Sequence, residues 1–528
     1  MAIKNLARVH SAELEGIRAK LIEVEVDLNV GLHNFTIVGL VDKALNEARE
    51  RVNSALKNSG MRPPNRENRR ITINLAPADF KKTGAHYDLA IALGYLLATK
   101  QMSPFATNNK VLVGELALDG RLRPVSGALN IAQMANDLGF EYLLIPSANA
   151  NEASAIAGIT VVPLETLNDA VAFLEGRKNI RAMKIGGRAE VRGMRPEGHD
   201  PPPDFSEIIG QENAKRALTI AAAGGHNILL TGPPGVGKSM LARALAGILP
   251  VLTLPEAIEI TKIWSAAGLS PGALMRHRPF RAPHHTASST ALIGGGNDPR
   301  PGEISLAHRG VLFLDELPEF SRGALEALRE PMESGVVRIA RAKQSITFPS
   351  KFMLAAAMNP CPCGYYGDYE KECKCAAYEI LRYKKKVSGP LFDRIDMHIK
   401  VGRVKIADLR KGEQHARGLR GHAENELASP LLKASIEHAR NLQLVRFKNV
   451  AAMTNAEMNS AETRAMIGLD LHAEQFLGTF ERSDLSPRGY YRILKVARTI
   501  ADLDKKDRVT TEHLAEAFSY RLQKDLAD

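Results

Sequence analysis

The stretch that most restricts the fold is NILLTGPPGVGKSMLARALAGIL, residues 227–249. An apolar run ends in a glycine-rich loop, and the loop opens an amphipathic helix. A strand, a phosphate loop and a helix in that order belong to a parallel α/β sheet. Gly232, Gly235 and Gly237 let backbone N–H groups close on phosphate oxygens. The loop Gly232, Pro233, Pro234, Gly235, Val236, Gly237, Lys238, Ser239 is therefore expected to line a nucleotide. Lys238 would reach the β- and γ-phosphates, and Ser239 would bind Mg²⁺.

VLFLDE (311–316) supplies two carboxylates at the end of a second apolar strand. Asp315 is expected to hold the magnesium and Glu316 to polarise an attacking water. AAAMNP (355–360) ends a third strand on Asn359, which is suited to sensing the γ-phosphate. ATP and Mg²⁺ are the expected cofactor and metal.

The 528 residues are too many for one hydrophobic core. Residues 1–176 alternate strand-like and helix-like segments, such as LIEVEVDLNV (21–30), NFTIVGL (34–40), ITINLAP (71–77) and YLLIP (142–146). Between them, 43–60 has the pattern of a helix ending at Gly60. Residues 177–203 lose apolar periodicity and read as a linker. Residues 204–400 read as the parallel α/β core, and 401–528 as helices. No apolar run is long enough to cross a bilayer, and no secretory leader pattern opens the chain. Clustered cysteines argue for a reducing cytoplasm.

The series GPPGVGKS, LFLDELPEF, AAMNPCPCG, GPLFDRID and LSPRGYYRILKVARTIADL resembles the magnesium-chelatase-like branch of the AAA+ ATPases, and within it the ComM/YifB family. The likeness spans essentially the whole chain. It implies an AAA+ core with a C-terminal helical lid, working as a homo-oligomer in a hexameric ring. Arg394 stands where that family has its arginine finger, and Arg488 matches the second sensor arginine of the lid. The blander reading of each is a surface salt bridge. The family also implies a DNA motor with helicase and branch-migration activity, acting on single-stranded or branched DNA. Its setting would be the integration of incoming DNA in natural transformation, alongside recombination-protein partners. Two alternatives share the nucleotide motifs: a magnesium-chelatase-type motor subunit and a protein-remodelling chaperone.

GAHYDLAIALGYLL (84–97) and GELALDGRLRPVSG (114–127) resemble the Lon-protease fold. A Lon-type peptidase needs a serine nucleophile and a lysine base. The matching positions read Gly84-Ala85-His86-Tyr87-Asp88 and Ser126-Gly127-Ala128-Leu129-Asn130, so the fold is expected without the chemistry.

A net charge of +11 permits a polyanionic partner. GVVRIARAKQSITFPSK (335–351) reads as a hairpin with no acid, and its Arg338, Arg341 and Lys343 are candidates for DNA phosphate contact; a solvated ribbon is the alternative. Residues 260–297 are also acid-free and carry Arg276, Arg278 and Arg281. For His284 and His285, packing around Pro283 and a functional role stay equally open.

All four cysteines fall in CPCGYYGDYEKECKC (361–375). Cys361, Cys363, Cys373 and Cys375 could close around one Zn²⁺. Four reduced thiols or a redox switch are the alternatives.

Overall fold

The structure is a computed structural model that describes residues 6–40, 42, 45, 47–66, 68–183, 202–296, 299–340, 345–404, 429–450, 452–479 and 486–521. Much of the expected linker, Arg341 and Lys343 lie outside the described residues. The chain divides into two compact units. One is Met1–Glu197 with Leu254–Arg276; the other is Gly198–Thr253 with His277–Asp528.

The first unit is built on a mixed sheet. Strand β1 (Leu6–Glu15) pairs antiparallel with β2 (Arg18–Val30), and Leu6 stands opposite Asp27. Along β2, Ile22, Val24, Val26 and Leu28 are buried, while Glu23, Glu25 and Asp27 alternate with them on the other face. That period of two is the one the sequence shows. β3 (Asn34–Val38) runs parallel to β4 (Arg69–Ala76), which is antiparallel to β2. β5 (Lys110–Leu112), β6 (Tyr142–Pro146) and β7 (Thr160–Leu164) extend the other edge in parallel. The seven-stranded order is β3-β4-β2-β1-β5-β6-β7.

Parallel strands covered on both faces need apolar residues on both faces. Val111, Leu143, Ile145 and Val161 join one core with the helix Ala128–Asp137. Leu112, Leu144 and Val162 join the opposite core with the helix Asp88–Ala98. Leu274 also enters the first of these cores, and Ser265 O accepts from Gly127 N at 3.1 Å. Residues Leu254–Arg276 thus belong to this unit although they fall inside the span 204–400.

The second unit has five parallel strands: β8 (Ile228–Thr231), β9 (Phe280–Arg281), β10 (Val311–Leu314), β13 (Met353–Met358) and β14 (Met397–Lys400). Their order is β9-β10-β13-β8-β14. Between β10 and β13 in the chain, β11 (Val336–Ala340) and β12 (Ser345–Pro349) form an antiparallel hairpin with Arg338 opposite Thr347. The C-terminal region is helical, with Ser429–Arg446, Ser460–Met466, Leu471–Thr479, Pro487–Leu503 and Thr511–Ser519. Leu230, Ala355 and Met397 from the sheet share one core with Ile436, Ile493, Ile500 and Leu514 from those helices. The expected parallel core with a helical C-terminal region is what the structure shows. No helix among the described residues is long and apolar enough to cross a membrane.

Candidate nucleotide site

Strand β8 delivers the phosphate loop to the C-terminal edge of the sheet, and Lys238 begins the helix Lys238–Ile248. Gly235 and Gly237 take φ of +80° and +88°, the left-handed region that favours glycine. Gly232 is required for another reason: a Cβ there would sit 2.2 Å from Val401 O. Pro233, Pro234 and Val236 complete the turn. The helix N-terminus directs its backbone N–H groups and its dipole toward the loop.

Lys238 is buried, and its ammonium donates to Gly232 O (2.7 Å), Pro233 O (2.9 Å) and Asn359 Oδ1 (2.9 Å). Burial lowers its pKa to about 8, against the opposing pull of Asp315 and Glu316. Ser239 Oγ donates to Asp315 Oδ2 at 2.6 Å. Asp315 Oδ1 accepts the Glu316 N–H at 2.9 Å. Glu316 sits at φ +51°, a conformation that costs a non-glycine residue energy. Three strands of one parallel sheet therefore bring Lys238, Ser239, Asp315, Glu316 and Asn359 together.

This donor set fits the expected ligands. Ser239 and Asp315 offer adjacent hard oxygens, the type Mg²⁺ takes alongside water and phosphate. Buried Lys238 and the left-handed glycines suit phosphate. The fold also adds a residue at this edge: His285 Nδ1 lies 3.5 Å from Glu316 Oε2, and its ring packs against His284 at a tilt of 35° with centroids 4.1 Å apart. Proximity of β9 to β10 in the sheet, invisible in one dimension, produces this contact.

Arg394 and Arg488 gather elsewhere, on a single carboxylate oxygen. Glu333 Oε1 lies 2.6 Å from Arg394 Nη2 and 3.0 Å from Arg488 Nη2. Arg394 is buried and also donates to Pro390 O at 2.6 Å, leaving its Nε without a hydrogen-bond partner. Arg488 is exposed in the first turn of Pro487–Leu503, a helix capped by Ser486. Arg338 is exposed on β11 and pairs with Glu330 at 3.2 Å. Of the other basic side chains, Arg281 is engaged bidentately by Glu303 at 2.6 and 2.7 Å, and Arg278 by the carbonyls of Pro250 and Arg309. Those two serve the fold.

The four cysteine sulfurs all lie within 4.8 Å of one another, the one such cluster of ligand-type side chains found among the described residues.

Three family models match the chain. "Magnesium chelatase, subunit ChlI" covers residues 204–409, "Subunit ChlI of Mg-chelatase" covers 24–149, and "Magnesium chelatase, subunit ChlI C-terminal" covers 426–521. Among curated relatives, YifB of Escherichia coli K12 is 43% identical over 524 residues, spanning 98% of this chain and 97% of its own length. Competence protein ComM of Haemophilus influenzae is 43% identical over 531 residues, with the same coverage of 98% and 97%. Magnesium-chelatase subunit ChlI-2 of Arabidopsis thaliana is 22% identical over 376 residues, 65% of this chain and 79% of that protein. With its five-stranded parallel core, its phosphate loop and near full-length identity of this order, the chain belongs to the YifB/ComM family of magnesium-chelatase-like AAA+ ATPases.

Proposed function

We propose that the chain is an ATP-driven motor on DNA, a helicase with branch-migration activity that serves integration of incoming DNA in natural transformation in the cytoplasm. The observation that carries the ATP-driven part of the reading is the assembly of Lys238, Ser239, Asp315, Glu316 and Asn359 at one sheet edge. In this reading Lys238 steadies the β- and γ-phosphates, Glu316 orients and deprotonates the attacking water, and Asn359 ties the γ-phosphate to Lys238. Mg²⁺ held by Ser239 and Asp315 would neutralise charge that develops on the phosphates.

Arg394 and Arg488 are read as cations that complete a neighbouring chain's site, which makes the working form a ring, taken as a hexamer. Glu333 holds both until that neighbour's nucleotide competes for them. The 177–203 linker joins a Lon-like domain without peptidase chemistry to the motor. Its one fully buried lysine near the Lon-type turn, Lys82, is spent on the carbonyls of Pro77 and Phe80.

DNA is supported by the name of the Haemophilus relative, a competence protein, and by the acid-free β11–β12 hairpin. Arg338, Arg341 and Lys343 would track phosphates with little sequence preference. The second reading, a motor subunit that remodels a magnesium-inserting partner, is favoured by the family models named for the chelatase subunit.

ATP turnover with and without single-stranded and forked DNA separates the two. We expect DNA to stimulate turnover, and Arg338→Ala with Arg341→Ala and Lys343→Ala to remove that stimulation while sparing the basal rate. Stimulation by a porphyrin-loaded protein partner alone would sink the DNA reading.

A further inference from the structure

The loop 361–375 leaves β13 three residues beyond the strand's last residue, Met358, at the edge where the phosphate loop lies. Within it, Cys361 Sγ is 3.3 Å from Cys363 Sγ and 3.6 Å from Cys373 Sγ, and Cys363 Sγ is 3.6 Å from Cys373 Sγ. A tetrahedral zinc with Zn–S bonds of about 2.3 Å has sulfur–sulfur edges of roughly 3.8 Å, close to this spacing. Two backbone N–H groups already point at sulfur: Tyr366 N to Cys361 Sγ at 3.3 Å and Cys363 N to Cys375 Sγ at 3.4 Å. Donors of that kind orient and stabilise metal-bound thiolates.

The same loop touches the phosphate loop. Gly364 takes φ +86°, and a Cβ there would lie 2.6 Å from Pro234 Cδ. Farther along, Asp368 accepts from Glu370 N (2.8 Å) and from Arg403 Nε (2.8 Å), and Glu370 pairs with Arg403 at 3.1 Å. Glu370 and Arg403 line a cavity of about 410 Å³ whose other walls include Ile208, Gln211, Pro234 and Gly237. One rim of that cavity is therefore the phosphate loop, and another is set by the cysteine loop.

We propose that Cys361, Cys363, Cys373 and Cys375 hold one Zn²⁺, and that the zinc-bound knuckle is a wall of the nucleotide pocket, so that zinc occupancy sets nucleotide affinity. The metal site stands on the sulfur geometry alone; the coupling rests on the nucleotide reading given above. With four thiolates gathered on the metal, a loop too short to build its own core holds Gly364 against Pro234 and Asp368 against Arg403. Without the metal, loss of the cross-links frees both contacts.

The test uses the purified full-length chain. Zinc content is measured by atomic emission, and binding of a fluorescent ATP analogue is followed before and after treatment with a high-affinity zinc chelator. Circular dichroism reports whether the stripped protein stays folded. We expect about one zinc per chain, and a nucleotide Kd weakened about tenfold on stripping. Because paired Cys373→Ser and Cys375→Ser substitutions can unfold the loop outright, Asp368→Asn is the companion variant. It should keep its zinc and show a similar weakening. A folded wild type with no zinc overturns the metal site. Zinc that can be removed with no change in affinity overturns the coupling. Zinc-loaded protein that binds no nucleotide overturns the nucleotide reading, and the coupling with it, while the metal site stands.

Discussion

Lys238 and Glu316 act on the same reaction in different ways, and their substitutions should separate. The Lys238 ammonium is aimed by three acceptors across the loop mouth, so Lys238→Ala removes a cation that binding itself needs. Nucleotide binding should fall below detection in a fluorescence titration. Glu316 follows Asp315 in a left-handed backbone and gives its N–H, not its carboxylate, to Asp315 Oδ1. Glu316→Gln should retain binding and lose turnover by about 10²–10⁴, the range removed with a general base. Equal loss of binding in both variants would refute that division of labour. The strand-loop-helix order and the adjacent acids announce these residues in the sequence, because their chemistry depends on local spacing. His285 was not assignable in the same way. Its partner Glu316 arrives through the neighbouring strand, and residues far apart in the chain carry no local signal of that.

Elements carry the next consequences. The short helix Gly389–Phe392 sets Arg394, and the start of Pro487–Leu503 sets Arg488, so two separate elements converge on Glu333. Arg394→Ala should bind nucleotide normally and turn it over about 10³-fold more slowly, the scale of a lost arginine finger. On the proposed role of Arg394 at a neighbouring chain's site, mixing Arg394→Ala with Glu316→Gln should give turnover above the sum of the two. A strictly additive mixture would argue against a shared site. In the first unit, Glu152 is fully buried and accepts from Ser270 Oγ and from Leu129 N. It therefore stitches Leu254–Arg276 to the helix Ala128–Asp137. Glu152→Ala leaves the buried Leu129 N–H without this acceptor, which costs about 1–3 kcal/mol. Thermal unfolding of the full chain should register the loss. Residues 254–276 fall inside the span read as the parallel core, and their allegiance was not legible: periodicity reveals an apolar face, never the core that face will join. One of the two antiparallel partners of β2 escaped for a related reason. Strand β1 mixes Arg8, His10 and Ser11 with small apolar residues, so its alternation is weak.

Across the second unit, a buried polar network fastens the helical region to the sheet. Asp396 accepts from Asn227 N at 2.8 Å and pairs with Arg492, while His226 Nε2 meets Thr499 Oγ1 at 2.7 Å. Burial lowers His226 to about 4, from an ordinary value of 6.5. Between those values the unfolded chain binds a proton that the folded chain excludes, so stability rises with pH through that window. The contribution is complete above pH 6.5 and lost as pH falls toward 4, a difference of about 3 kcal/mol. Urea unfolding at pH 7 and pH 4.5 should show a smaller drop for His226→Gln than for the wild type. The same network ties the helix carrying Arg488 to the strand that follows Arg394, since Arg492 donates to Arg394 O at 2.9 Å and pairs with Asp396.

The motor claim is tested most directly by following a synthetic three-stranded DNA junction, with fluorophores on the displaced strand, after addition of the full-length protein, Mg²⁺ and ATP. The account predicts ATP-dependent strand displacement that Glu316→Gln abolishes and that Arg338→Ala with Arg341→Ala and Lys343→Ala slows. Vigorous ATP hydrolysis with the junction left intact would contradict it.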